Sequence, residues 1–172
     1  MRFLSISSHS RCAGLAFVSI QTVFLAAVGI AAPCWPGHWP RVLSVSLGSA
    51  AFLYAAWTGL GGVSGLGRNR TAMPLPKPDS ELIINGIYGI VRHPLYASMM
   101  AMALGWSCFW SSVTALWTTG GLVIFLHAKA LYEERLLRAE FSGYASYERL
   151  VPRYFPRLPA SRRPPEIGPH SP

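Results

Sequence analysis

Charge is the first scarcity in this sequence. Only 13% of its 172 residues are charged, and the acids number seven: Asp79, Glu81, Glu133, Glu134, Glu140, Glu148 and Glu166. With 51% hydrophobic residues, the chain is too apolar for an ordinary soluble domain, and its length is that of one domain. Cysteine is also rare. Cys12, Cys34 and Cys108 have no paired spacing and lie in or beside apolar segments, which excludes a disulfide framework and a cysteine-based metal site. A dinucleotide fingerprint is missing as well: after Gly59 and Gly61 the third glycine should fall at position 64, which is Ser64, and no βαβ pattern surrounds it. Gly61 and Gly65 instead form a G-x-x-x-G face, which lets helices approach closely.

What the sequence does have is long apolar runs. Residues 13–32 carry no charge over twenty positions, enough for a helix to span the roughly 30 Å hydrocarbon layer. A signal peptide has a shorter apolar run, about 7–15 residues, and Pro33 directly before Cys34 rules out a lipoprotein. Further runs cover 42–60, 95–110 and 113–131. The third is short, about 24 Å as a helix, so it stands nearly upright or is shielded by its neighbours. Ser111 and Ser112 leave room only for a tight turn, which predicts an antiparallel hairpin of the last two spans.

The placement of charge predicts orientation. Of 15 Lys and Arg residues, Arg2 and Arg11 precede the first span, Arg68, Arg70, Lys77 and Arg92 lie between the second and third, and eight occur from Lys129 onward. Only Arg41 falls on the other side. By the positive-inside rule both termini face the cytoplasm. The seven acids share that side, so a polar cofactor should bind there. A net charge of +8 is compatible with nucleic acid, but the basic residues gather at membrane boundaries, which fits anionic lipid headgroups and no nucleic-acid partner.

Pro74, Pro76 and Pro78 interrupt residues 68–85, marking a connector on the cytoplasmic side. Pro94 suits the first turn of the third span, which puts Arg92 and His93 at a helix N-terminus able to take an anion. The fourth span continues through His127, Lys129, Glu133 and Glu134 without a break signal. Lys129 with Glu133, and Glu134 with Arg138, are i,i+4 pairs that a solvated helix face would also show. Leu137, Phe141, Tyr144, Tyr147 and Val151 then form one apolar stripe, predicting an amphipathic helix that lies on the membrane or folds over the hairpin and ends at Pro152. The tail, 157–172, reads as disordered. The expected fold is an all-α integral membrane protein with about four transmembrane helices, organised as a two-span region (1–66), a core (67–156) and the tail.

The stretch GIYGIVRHPLY, followed after one hairpin by EERLL and then YASYERLVPRYFP, resembles the isoprenylcysteine carboxyl methyltransferase and phospholipid methyltransferase superfamily over residues 80–156. The resemblance implies an S-adenosylmethionine donor in a cytoplasm-facing pocket, with lipid access for a small lipophilic acceptor. Carried over by position, it implies donor contacts from Leu82, Ile83, Tyr88, Arg92, His93, Pro94, Leu95, Tyr96 and Glu133. It places Lys129 where isoprenylcysteine methyltransferases hold a carboxylate-anchoring arginine, and Glu134 where an amine acceptor's proton could go. A lysine gives a point charge without bidentate recognition, and Ser98 stands where a glycine is common. Each residue also has a plainer reading: Tyr88 and Tyr96 as interfacial aromatics, Arg92 as a headgroup contact, His93 as a helix cap, His127 as a buried polar contact. Membrane sterol-type reductases, which use NADPH, share the Arg-His-Pro-x-Tyr motif but typically carry Asn before the Tyr and Gly-Glu after it, where this chain has Leu95, Ala97 and Ser98. A non-catalytic protein of the same fold is the third reading.

Overall fold

A computed structural model describes residues 8–66 and 82–157. Most of the connector expected at 68–85, and the expected tail beyond Arg157, lie outside these residues. Among them the fold is all-helical, with no strand: α1 (Ser8–Cys34), α2 (Arg41–Leu66), α3 (Pro94–Phe109), α4 (Val113–Glu140) and α5 (Tyr144–Leu150), plus a single 3-10 turn at Gly86–Gly89. Among the described residues, three segments are long and apolar enough to cross a membrane: Gly14–Cys34, Arg41–Leu66 and Val113–Glu140. Their outward faces carry exposed Val23, Leu53, Leu60 and Ile124, the surface a lipid solvent favours.

α1 keeps its helix through Pro33. A proline there cannot donate to the carbonyl of Gly29, and Trp106 Nε1 of α3 takes that oxygen at 3.3 Å. Val28 of α1 packs with Leu122 and Leu126 of α4 and Tyr96 and Ala103 of α3, and Phe24 meets Phe125 at 5.8 Å between ring centres.

α2 extends six residues past the end of the apolar run read from the sequence, because its glycines are packed. The α2–α3 seam is made by Gly48, Gly59 and Gly62: a Cβ on Gly48 would lie 3.2 Å from the Gly105 carbonyl oxygen, and one on Gly62 2.9 Å from Leu95 Cδ2. Gly61 and Gly65 do allow a close approach, but their neighbours are Ile87 and Tyr88 of the 3-10 turn rather than a second long helix.

α3 gives way to α4 at Trp110–Ser112, where Ser111 takes φ 55° and the Ser112 side chain accepts from Ala115 N at 3.3 Å. Ser107 and Thr119 hydroxyls meet at 3.0 Å beside this turn. The single amphipathic helix expected over Leu137–Val151 is corrected: α4 stops at Glu140, Phe141 is extended (φ −114°, ψ 112°), and α5 starts after Gly143. Ser142 and Gly143 favour leaving the helix. The apolar stripe survives the break, since half-buried Leu137 and Phe141, with Leu82 and Ile84, pack against buried Tyr144, Tyr147 and Val151. After Pro152 the chain forms a strap across the α3 entrance: Arg92 N and His93 N donate to the carbonyls of Pro152 and Arg153 at 2.9 and 3.0 Å, and the Tyr54 hydroxyl of α2 donates to the Tyr154 carbonyl.

Candidate functional site

Pro94 opens α3 because its missing N–H falls where no helical bond is needed. His93 precedes it with φ −122° and ψ 63°, and its imidazole does not cap the helix. The ring stacks on Tyr96 instead, 5.4 Å between centres and 5° between planes, as the i,i+3 spacing allows. Neighbouring positions on α4 then straddle this pair. His93 Nε2 lies 3.1 Å from Glu134 Oε1, His93 Nδ1 lies 3.7 Å from Glu133 Oε2, and the Tyr96 hydroxyl donates to Glu133 Oε1 at 2.5 Å.

The two carboxylates differ in their surroundings. Glu134 is completely buried. Arg153 reaches it through Nε at 2.9 Å and Nη2 at 2.9 Å, Arg92 Nη2 at 3.1 Å and Arg138 at 3.7 Å. So many donors around one carboxylate satisfy its lone pairs and offset its desolvation. Glu133 meets only Tyr96 and His93 at close range and keeps 17% of its side chain exposed.

A second layer ties this cluster to α5. Arg92 Nη1 donates to the Glu148 carbonyl at 2.9 Å and approaches its carboxylate at 3.5 Å, while Arg92 Nε is buried without a hydrogen-bond partner among the described residues. The bidentate hydrogen bonds from Arg138 to Glu148, 2.7 and 2.6 Å, hold the Glu148 carboxyl below its ordinary pKa. Burial, with the Glu133 charge nearby, pushes the Tyr88 phenol up to about 12. Tyr88 donates to the Gly62 carbonyl at 3.3 Å, and Tyr147 donates to the Tyr88 carbonyl at 2.6 Å.

Of the residues singled out from the sequence, Arg92, His93, Tyr96, Glu133 and Glu134 form one contiguous contact network, with Pro94 as its helix start. Leu82 packs on α5, Ile83 on the cluster of Ile87, Tyr88 and Val91, and Leu95 against Gly62 of α2, so these line the flanks. Lys129 is 2% exposed. Its ammonium lies 5.1 Å from the Tyr96 ring centre and donates to Gln21 Oε1 of α1 at 3.0 Å, in place of the i,i+4 pairing with Glu133. His127 Nδ1 meets the Tyr154 hydroxyl at 3.2 Å.

Sequence reasoning missed Arg153, Tyr154 and Gln21. The first two stand directly after Val-Pro in the motif that carried the resemblance, and a charge held in that otherwise aromatic segment was the available signal. Gln21, the most polar side chain within an uncharged run, was a visible sign of a buried partner.

Known proteins are similar to this chain in sequence. A cobalt-zinc-cadmium resistance protein, CzcN, of Cupriavidus metallidurans is 29% identical over 142 residues, 81% of this chain and 61% of that protein. A nickel-cobalt-cadmium resistance protein, NccN, of Alcaligenes xylosoxydans xylosoxydans is 30% identical over 83 residues, 48% of this chain and 39% of that protein. The chain thus spans less than two thirds of the length of either relative. The family model for phospholipid methyltransferase matches residues 43–143, more than half of the chain and all of α3 and α4, and the chain belongs to the phospholipid methyltransferase family.

Proposed function

We propose that this protein is a membrane-embedded methyltransferase that uses S-adenosylmethionine to methylate a small lipophilic acceptor. The observation that carries the reading is the convergence of His93 and Tyr96 from α3 with Glu133 from α4, inside the family-matched segment. In this reading the 16-residue α3 is a fourth crossing, shielded by α1, α2 and α4, and both termini and the site face the cytoplasm. The residues divide into a two-span region (1–66) and a catalytic core (67–156).

The residues present fit the donor's chemistry. Glu133 offers a partly exposed carboxylate to the donor's ammonium or ribose hydroxyls. The faces of Tyr96, Tyr88 and His93 suit an adenine or a sulfonium. The unpartnered Arg92 Nε at the α3 entrance suits a carboxylate. When bound, the donor supplies an electrophilic methyl group. Leu82, Ile83 and Leu95 shape the flanks, and the strap at 151–157 keeps water from the entrance. Glu134, with its lone pairs already engaged by Arg153, Arg92 and His93, positions His93 and Arg92 in this reading rather than accepting a proton.

Incubating detergent-purified protein with methyl-labelled S-adenosylmethionine and a bacterial lipid extract tests the proposal. Label should move into an organic-soluble product, and transfer should drop at least about tenfold in Glu133→Gln. No labelled product with either the lipid extract or a panel of thiol, amine and carboxylic-acid lipids would count against it.

A further inference from the structure

The end of the helices opposite His93 and Glu133 holds a cavity of about 570 Å³, inside the roughly 300–1,000 Å³ range of small-molecule sites. The 16-residue α3 separates the two by about 24 Å. Three segments wall this cavity: the α1–α2 loop with Gly37, His38 and Trp39, the first turn of α2 with Arg41, and the end of α3 with Phe109 and Trp110.

Its floor is built before any ligand arrives. Gly37 N donates to the Trp110 carbonyl at 3.1 Å, and the Ser44 and Ser111 hydroxyls meet at 2.6 Å as a buried pair. A Cβ on Gly37 would stand 2.1 Å from the Ser111 carbonyl oxygen, so only glycine lets the loop close on the α3–α4 turn. Ser111 itself holds φ 55°, the one positive φ outside glycine among the described residues. Such backbone is strained for a residue with a Cβ and persists where its neighbours over-determine it.

The charge at this end has one sign. Arg41 is the only Lys or Arg between Arg11 and Arg68, and no Asp or Glu occurs before Asp79 or between Glu81 and Glu133. The Arg41 guanidinium lies 5.4 Å from the Phe109 ring centre and makes neither an ion pair nor a hydrogen bond with the described residues. A guanidinium held over a ring keeps its in-plane N–H groups for a ligand, and that fork matches phosphate oxygens. The His38 imidazole adds a donor. Trp39 and Trp110 are aromatics of the kind that settle at headgroup level.

We propose that this cavity binds the phosphate of a phospholipid headgroup, with Arg41 as its anchor and His38 as a second donor. At about 24 Å from the His93–Glu133 cluster, the lipid is a structural ligand and not a methyl acceptor. Trp35, Val42 and Val113, sequence neighbours of the lining residues, are exposed. They offer apolar surface to acyl chains outside the cavity, which favours a lipid over free phosphate. Because the α1–α2 loop, α2 and the end of α3 all contribute walls, the occupied cavity ties the first two helices to the α3–α4 hairpin.

The test measures equilibrium binding of radiolabelled phosphatidylglycerol to the full chain in dodecyl maltoside, with diacylglycerol and sodium phosphate as competitors and the unfolding temperature read on the same samples. Phosphatidylglycerol should bind saturably and raise the unfolding temperature. Diacylglycerol of the same chains should compete at least about tenfold more weakly, and sodium phosphate, which lacks the chains, only at about a hundredfold higher concentration or more. Arg41 is exposed, so its replacement disturbs no packed core. Arg41→Gln should weaken the lipid about tenfold, and Arg41→Lys, which keeps the charge but loses the fork, by a smaller factor. Arg135→Gln, at an exposed arginine on the other end of the molecule, should leave binding unchanged. Unchanged affinity in Arg41→Gln, or equal weakening in Arg135→Gln, overturns the proposal. So does competition by diacylglycerol at the lipid's own concentration, which would make the cavity an apolar groove, or by sodium phosphate at that concentration, which would make it a site for a soluble anion.

Discussion

Arg153 grips Glu134 with two parallel hydrogen bonds, Nε to Oε1 and Nη2 to Oε2, both 2.9 Å. The strap that carries Arg153 is thereby joined to the buried face of α4, and through Arg92 and His93 to the entrance of α3. Removing the carboxylate leaves two guanidinium groups buried or half-buried without their anion. Glu134→Ala should cost about 3–5 kcal/mol of stability, read as a drop in the unfolding temperature of the detergent-solubilised protein. The double variant Glu134→Ala with Arg153→Ala should lose less than the two single losses together, because the second change removes a charge that the first left unpaired.

Glu133 should behave in the opposite way. It is partly exposed and its close partners are one hydroxyl and one imidazole, so Glu133→Gln should change stability by about 1 kcal/mol or less. Its S-adenosylmethionine affinity should fall by about tenfold or more. Thermal unfolding and donor titration on one preparation separate the two effects.

Gly62 is one of the points where α2 and α3 pack closely. A Cβ there would stand 2.9 Å from Leu95 Cδ2 and 3.2 Å from Pro94 Cγ, and the proline ring is fixed in the first turn of α3. Gly62→Val should cost about 1–3 kcal/mol by overpacking, measured by unfolding. At Gly65 the added Cβ meets Tyr88 ring atoms at 3.1 and 3.2 Å, so Gly65→Ala should also cost stability by displacing a ring held by its hydroxyl.

The acid limb of stability should report Glu148. Its carboxyl is held below its ordinary pKa by Arg138, so the stabilisation is present above the unfolded-state pKa and is lost as pH falls through the folded-state value. An exposed pair of this kind is screened by solvent and contributes only modestly. Glu148→Gln should therefore lower stability slightly at neutral pH and flatten its decline between about pH 5 and pH 3. Parallel unfolding curves for the two proteins across that interval would refute the assignment.

Much of this site could be read from local sequence. Pro94 announced the start of α3, and the motif from Arg92 to Tyr96 with the acidic pair at 133–134 named residues that meet in space. Ser111 and Ser112, lying between two apolar runs, marked where α3 ends and α4 begins. What escaped notice depended on distant partners. Nothing near Arg153 in sequence says that it will meet Glu134, and Gln21 meets Lys129 across 108 positions. The stripe from Leu137 to Val151 had the right spacing for one helix, yet Ser142 and Gly143 let the backbone leave the helix while the same side chains stayed packed together. Gly61 and Gly65 correctly signalled a close approach, but a glycine face does not specify its partner, and here it is the 3-10 turn carrying Ile87 and Tyr88.

The most direct test of the central claim is calorimetric titration of S-adenosylmethionine, and separately of NADPH, into the purified full chain in detergent. The account predicts saturable binding of S-adenosylmethionine that weakens at least about tenfold in Glu133→Gln, with no binding of NADPH. Saturable NADPH binding with no response to S-adenosylmethionine would contradict it.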